Sequence, residues 1–313
     1  MTSLPIDRVG VGLAALGRPA YITTGRAGDL PDRTVGGLRQ RTWAVLDAAY
    51  TAGIRYVDVA RSYGLAEEFL AGWLKDRSWA DVVVGTKWGY DYVGGWRLDA
   101  PVHERKEHSL AMFRRQYAES RAVLGDRLVL YQVHSATLTS GLFDDLALLA
   151  ALARLREEGV RIGLTTSGPA QAETVYRALE TTVDGAPLFD TAQATWNLLE
   201  PSVGPALAEA ATAGWSVIVK EAFANGRLTA AGDSGGPATP LAVAAARLGT
   251  TADAVALRAA LDQPWAPLVL TGPASPQQLT DNLAALQLPQ LPPLDLAQDP
   301  ATYWRQRAER SWG

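Results

Sequence analysis

Four residues able to move protons or hold charge sit at the ends of short apolar runs. The stretch "YVDVARSYG" (56–64) begins like a buried strand, with β-formers at Tyr56, Val57 and Val59, yet it carries Asp58 in its middle and Tyr63 five residues on. An unpaired buried carboxylate is costly, so Asp58 needs a partner. Lys87 ends the run "DVVVGTK" and His134 ends "RLVLYQVH". A carboxylate, an ammonium and a phenol brought together make a simple circuit. Asp58 pairs with Lys87 and keeps the amine charged, and that charge lowers the Tyr63 phenol from its usual value of about 10. A phenol tuned downward can give a proton to a developing alkoxide and take it back in reverse, with His134 hydrogen-bonding the same oxygen. The set suits carbonyl reduction, hydride reaching carbon while Tyr63 protonates oxygen. Taken singly, each residue has a plainer explanation: a turn aspartate, a solvated lysine, a packed tyrosine, a satisfied histidine. The chemistry depends on all four meeting on one rim.

The elements that would bring them there alternate regularly. Strand-like runs lie at 8–13, 54–60, 81–87, 127–134, 160–166, 189–195, 215–221 and 267–272. Helical patterns lie at about 38–52, 65–76, 103–124, 141–158, 170–182, 202–213, 250–262 and 276–286. The strand runs are rich in Val, Leu and Ile and do not alternate strictly with polar residues, as in parallel strands buried on both faces. Such alternation fits a doubly wound sheet or an eight-fold barrel. The count and the length favour the barrel, and no GxGxxG fingerprint follows the first strand. The fold class is therefore α/β, a single-domain (α/β)8 TIM barrel over residues 1–313. "GDSGGPATP" (232–240) reads as a loop before a helix. The tail 287–313 is a Pro-rich connector and then a short helix with Tyr303, Trp304 and Trp312, packing on or near the barrel. Barrel active sites lie at the carboxyl ends of the strands. Asp58, Lys87, His134, Gln193, Lys220 and Gly272 fall there, Gly12 and Leu13 end the first run, and Tyr63 lies just past its own strand.

Composition removes several classes of function. The 313-residue chain carries a formal charge of -4 and a pI of about 5.5, against nucleic acid as a partner. It has no cysteine, which excludes disulfides and thiolate chemistry. Of three histidines, His103 and His108 fall in a charged segment that reads as a solvated helix face, so a metal-dependent hydrolase lacks its ligand cluster. The opening "MTSLPIDRVG" has neither the charged start nor the apolar core of a signal peptide. No run of about 18 apolar residues appears. A soluble, cytoplasmic protein is expected, with its oligomeric state left open.

The segments "GIRYVDVARSYG", "VVVGTKWG", "LYQVHS", "AQATWNLL" and "SPQQLTDNLAAL" occur in one order over about residues 8–286, and together they resemble the aldo-keto reductase family closely. The resemblance implies an (α/β)8 barrel with a nicotinamide dinucleotide, usually NADP(H), extended across the rim. It implies a catalytic tetrad of Asp58, Tyr63, Lys87 and His134, with Tyr63 as general acid/base. Gln193 would hold the nicotinamide carboxamide. The family's Ser-Asn pair after strand five would fall on Thr165-Thr166, or on Ser167-Gly168 with an offset loop. Ser275, Gln278, Asp281 and Asn282 would hold the adenosine end. Gly12, Leu13 and Asp58 are further cofactor contacts, and the short "LAEEF" implies a trimmed Tyr63 loop.

Three departures from the family bear on function. Between Thr271 and Leu286 there is no Lys or Arg to meet a 2'-phosphate, which opens NAD(H) or dual use. Lys220 stands where an aromatic usually stacks on the nicotinamide. It pairs with Glu221 or touches cofactor phosphate or ribose, and Arg227 is a candidate for the pyrophosphate. The loop at 17–37 is long enough to act as a lid. The substrate, a small carbonyl compound or a sugar, would meet Trp88, Tyr90, Tyr92 and Trp96 from "WGYDYVGGWRL", with Tyr21 a weaker candidate; the alternative is that one or two of these rings, Trp88 first, pack under the loop. A non-catalytic cofactor-sensing subunit is the competing reading, because one fold serves many functions.

Overall fold

The valine-rich runs pair in parallel and close on themselves. The structure is a computed structural model describing residues 4–23, 26–232 and 239–313, with the backbone alone at 26 and 27. Strands β1 (Val9–Gly12), β2 (Tyr56–Asp58), β3 (Val83–Trp88), β4 (Leu128–Ala136), β5 (Arg161–Thr166), β6 (Thr191–Thr195), β7 (Ser216–Lys220) and β8 (Leu268–Thr271) form a closed barrel in chain order. Around them lie α1 (Val35–Thr51), α2 (Ala66–Arg77), α3 (Leu110–Leu124), α4 (Leu146–Glu157), α5 (Gln171–Leu179), α6 (Gly204–Thr212), α7 (Pro240–Leu248), α8 (Ala252–Leu261) and α9 (Pro276–Leu283). The tail adds α10 (Pro300–Ala308), docked through buried Tyr303 and Trp304. No described helix is long and apolar enough to cross a membrane.

Successive residues of a strand face opposite ways, and this sorts the site from the core. On β2, Val57 packs in the main core while Tyr56 and Asp58 face the barrel interior. Tyr56 fills the interior beside Leu130, Ile218 and Leu270. A Cβ at Gly10 would sit 2.9 Å from the Tyr56 ring and one at Gly85 2.2 Å from its hydroxyl, so these glycines make room for the ring. The register sets Gly12 beside Asp58 and Asp58 beside Gly85, one residue pair below Lys87.

The structure departs from the sequence expectation in three places. The helix expected at 103–124 starts at Leu110, capped by Ser109, whose hydroxyl accepts from Met112 N at 3.1 Å. The charged residues before it form a strand, Glu104–Lys106, antiparallel to Tyr90–Tyr92. His103 and His108 are accordingly buried and not on a solvated face: His103 stacks on Trp312, and His108 Nε2 donates to the His134 carbonyl at 2.9 Å. The stretch at 232–240 does lead into a helix, but this is α7, a separate helix ahead of the one expected at 250–262. It is started by the Thr239 cap with Pro240 at its first turn and stopped by Gly249 at φ 63°. A second hairpin pairs Thr182–Val183 with Ala186–Pro187. Residues 24–25 of the long loop and 233–238 of the Gly/Pro-rich stretch lie outside the described residues.

Candidate active site

Lys87 is fully buried at the end of β3, where its Nζ donates to Asp58 Oδ1 and to the Val59 carbonyl at 2.8 Å. The other carboxylate oxygen of Asp58 accepts from Gln193 Nε2 at 2.8 Å, across the barrel. Asp58 is thus paired, as its position requires. The Tyr63 ring lies 5.0 Å from Lys87 Nζ, and its centroid is 5.5 Å from that of His134. The loop carrying Tyr63 is tied down by Arg61 N to Lys87 O at 3.0 Å and by Leu65 N to Gly17 O at 2.8 Å. A Cβ at Gly17 would sit 2.1 Å from the Tyr63 carbonyl, so the two loops meet only because that residue is glycine. Beneath the loop, Arg61 bonds Glu67 and Glu68 at 2.6 Å each. The fully buried Glu67 also accepts from Thr86 and Ser120, fixing β3 and α3 to the same point.

The electrostatics differ from the sequence expectation. Burial raises the Tyr63 phenol well above its usual value, and Asp58 adds to this. The cation opposing the rise is Arg18, not Lys87. Lys87 is committed to Asp58 and a carbonyl, and burial pulls its amine down against the pull of Asp58. His134 is pushed far down by burial and then by Lys87, so its imidazole is neutral. A neutral imidazole with Ser62 Oγ 3.4 Å from its Nδ1 can offer Nε2–H to an oxygen. The cluster therefore holds Tyr63 protonated beside a neutral histidine, a proton donor poised for a basic oxygen.

A cavity of about 680 Å³ opens on this rim. Of the expected catalytic residues, Asp58, Tyr63 and His134 line it, and Lys87 stands behind Asp58. Of the cofactor candidates, Gly12, Ser167, Gln193, Lys220, Gly272, Gln278, Asp281 and Asn282 line it. Others do not. Leu13 is core. Thr165 accepts from Ser135 N at 2.7 Å and Thr166 faces Gln171, both fully buried. Ser275 caps α9 through Gln278 N at 3.2 Å. Arg227 turns to the tail, donating to Gln298 Oε1 at 3.1 Å and facing the Tyr303 ring. Lys220 reaches Glu221 only at 3.9 Å and instead donates to Thr195 Oγ1 at 2.7 Å. Burial, with Arg307, draws its amine down to about 8 against the pull of Glu221.

Among the substrate candidates, Tyr21 and Tyr90 line the cavity. Trp88 does not: the residue after an inward Lys87 must point outward, and it packs on Phe113 with ring centroids 5.2 Å apart. The Tyr92 hydroxyl accepts from Trp96 N within their own loop, while Trp96 Nε1 donates to Arg33 O at 3.0 Å and ties that loop to the one at 17–37; neither ring lines the cavity. The sequence reading missed Arg18, Glu104, Ser135, Glu221, Asn225, Arg307 and Trp312, all on the cavity wall. Ser135 carries φ 54° at a bulge in β4, and Glu221 carries φ 58° at the end of β7. Burial favours neutral Glu221, but Arg307 and then Lys220 outweigh it and hold the carboxyl at about 2.

The cavity is lined both by the Asp58, Tyr63 and His134 cluster and by Gln278, Asp281 and Asn282 of α9, so one ligand reaching both sets would be extended. Asn225, on its wall, is buried with its side-chain Oδ1 lacking a described partner, an acceptor suited to a ligand hydroxyl or amide. A nicotinamide dinucleotide fits this donor and acceptor set.

Fold and site define a parallel (α/β)8 barrel with a cavity at its carboxyl rim lined by Asp58, Tyr63 and His134. The chain belongs to the aldo/keto reductase family, whose model matches residues 36–298. It is 35% identical over 144 residues to a D-threo-aldose 1-dehydrogenase from a Pseudomonas species, and spans 41% of that protein's length and 38% of its own. An aldo-keto reductase from Bacillus halodurans, in its holo form, shares the fold with a TM-score of 0.64 at 21% identity, over 96% of this chain and 91% of that one. A Pseudomonas aeruginosa protein described as an aldo-keto reductase gives 0.63 at 24% identity, over 90% and 89%.

Proposed function

We propose that this protein is an NAD(P)(H)-dependent oxidoreductase interconverting a carbonyl compound and an alcohol, with Tyr63 as general acid/base. The observation carrying the reading is the meeting of Tyr63, His134 and the Asp58–Lys87 pair at one end of the cavity. A bound nicotinamide would supply or accept the hydride. Tyr63 holds the proton at its hydroxyl and gives it to the substrate oxygen in reduction, or takes it in oxidation. Neutral His134 orients that oxygen. Lys87 is the nearby fixed charge, kept in place by Asp58 and the Val59 carbonyl. Ser167 and Gln193, on the cavity wall, are the candidates to hold the carboxamide, and Gln278, Asp281 and Asn282 those for the adenosine end.

Both NAD(H) and NADP(H) remain within the proposal. The basic residues described on the cavity wall are Arg18, Lys220 and Arg307, and the α9 side carries Asp253 and Asp281 instead. Carboxylates suit ribose hydroxyls and oppose a 2'-phosphate. The aldose dehydrogenase relative supports a sugar lactol among the substrates.

Turnover of aldehydes, ketones, alcohols and sugars with each cofactor tests the reading. Tyr63→Phe should cut kcat by about a hundredfold or more, the range for general acid–base catalysis, while cofactor titration stays within about threefold, below 1 kcal/mol. Near wild-type kcat in Tyr63→Phe sinks the assignment. Tight cofactor binding without turnover of any substrate would favour a sensing subunit.

A further inference from the structure

Beside Tyr63 the cavity wall carries a charged pair, Arg18 and Glu104, to which the proposed proton transfer assigns no step, although Arg18 opposes the rise of the Tyr63 phenol. Arg18, only 1% exposed, bonds Glu104 Oε1 at 2.6 Å and the Ser62 carbonyl at 3.0 Å. Its guanidinium lies 4.9, 5.1 and 4.8 Å from the ring centroids of Tyr21, Tyr63 and Trp312. Planar cations stack well on aromatic faces. The contacts come from separate segments: the loop after β1, the loop after β2, the Glu104–Lys106 strand and the tail. Arg18 is thus held on several sides, and it in turn fixes the Glu104 carboxylate, whose side chain keeps 16% exposure on the cavity wall.

We propose that Glu104, positioned by Arg18, is a hydroxyl-binding subsite that selects polyhydroxylated substrates for the Tyr63 end of the cavity. This rests on the oxidoreductase reading and adds the substrate class. A carboxylate accepts hydrogen bonds and donates none. An apolar substrate would strip water from Glu104 and return nothing, at a real cost. An anionic substrate would face Glu104 across a guanidinium already paired with it. A neutral group with several O–H donors avoids both penalties and satisfies the carboxylate. Tyr21 and Tyr90 on the same wall offer apolar surface for the C–H face of a sugar ring. Because the carboxylate is fixed by a buried partner, little ordering is needed when the hydroxyl arrives.

The test compares wild type, Glu104→Gln and the double variant Arg18→Met/Glu104→Leu. The double variant removes the pair as a unit and leaves no lone buried charge. Substrates are a panel of unmodified pentoses and hexoses, xylitol as an open-chain polyol, and butanal as a carbonyl compound without hydroxyls. The readout is the ratio of kcat/KM for the best sugar or polyol to that for butanal, together with calorimetric titration of the same sugar into each protein. In both variants the ratio should fall by about ten- to a hundredfold, as for loss of a hydrogen bond to a charged acceptor, and sugar affinity should fall with it. An unchanged ratio with unchanged sugar affinity overturns the subsite, as does a wild-type preference for butanal over every sugar and polyol. If nothing in the panel turns over, the oxidoreductase reading fails, and titration still decides the subsite: sugar binding that Glu104→Gln does not weaken overturns it, and so does the absence of sugar binding to wild type.

Discussion

Replacing Asp58 by Asn exposes how the buried pair works. The side chains of Asp58 and Lys87 are 4% and 1% exposed, so neither charge can fall back on water. Asn keeps the shape and leaves the Lys87 ammonium with the Val59 carbonyl and an amide. Breaking a buried pair from one side costs about 3–5 kcal/mol. Lys87→Met breaks it from the other side, leaving Asp58 with the single bond from Gln193, at a similar cost. Removing both charges leaves no orphan, so the double variant should lose about as much as one single variant, giving a coupling of about 3–5 kcal/mol. The pH dependence carries a sign. Without Asp58, the amine in the folded protein falls further below its unfolded value of about 10.4, so the unfolded chain binds more protons. Stability of Asp58→Asn should therefore rise from pH 7 to 9 relative to wild type. Urea unfolding followed by tryptophan fluorescence measures all four proteins. Additive single-variant losses, with coupling under about 1 kcal/mol, would refute the buried pair.

Trp88→Ala should cost about 3–5 kcal/mol in stability through the cavity it leaves, while KM for substrate changes less than about threefold, under 1 kcal/mol; a specific rise in KM would return Trp88 to the substrate wall. His108, drawn down to about 4 by burial and Lys106, takes up a proton more readily when unfolded. Stability should fall on acidification from about pH 6.5 to 4, by up to about 1.4 kcal/mol per unit, and His108→Phe should flatten that limb in chemical-denaturation scans. Fluorescence titration should give an NADP-over-NAD affinity ratio below about a hundredfold, or 2.7 kcal/mol; a larger ratio would mean that a basic group outside 271–286 meets the phosphate.

The barrel was legible because its strands announce themselves locally. Each apolar run became a strand, and the residue at its carboxyl end fell on the rim, as with Lys87 and His134. The fate of Trp88 was legible by the same alternation once Lys87 was turned inward. Helix α7 had its signals, a Thr-Pro start and a Gly stop, obscured by the Gly/Pro-rich stretch before it. Burial of His103 was not legible, since it depends on Trp312 more than 200 residues away. Arg18 was not legible either, because only the assembled fold brings Tyr21, Tyr63, Glu104 and Trp312 around it. The Tyr63 phenol moved opposite to expectation because burial outweighs a neighbouring cation whose charge is already spent.

The rim divides its labour between the two halves of the chain. Asp58, Tyr63, Lys87 and His134 come from β2 to β4 and their loops, whereas Gln278, Asp281 and Asn282 hang from the loop after β8 and from α9. Gln193, reaching from β6 to the Asp58 carboxylate, crosses that divide. Substitutions on the α9 side can accumulate, by drift or by design, without touching the contacts among Asp58, Tyr63, Lys87 and His134. A change at Gln193, by contrast, removes one of the side-chain bonds that hold Asp58.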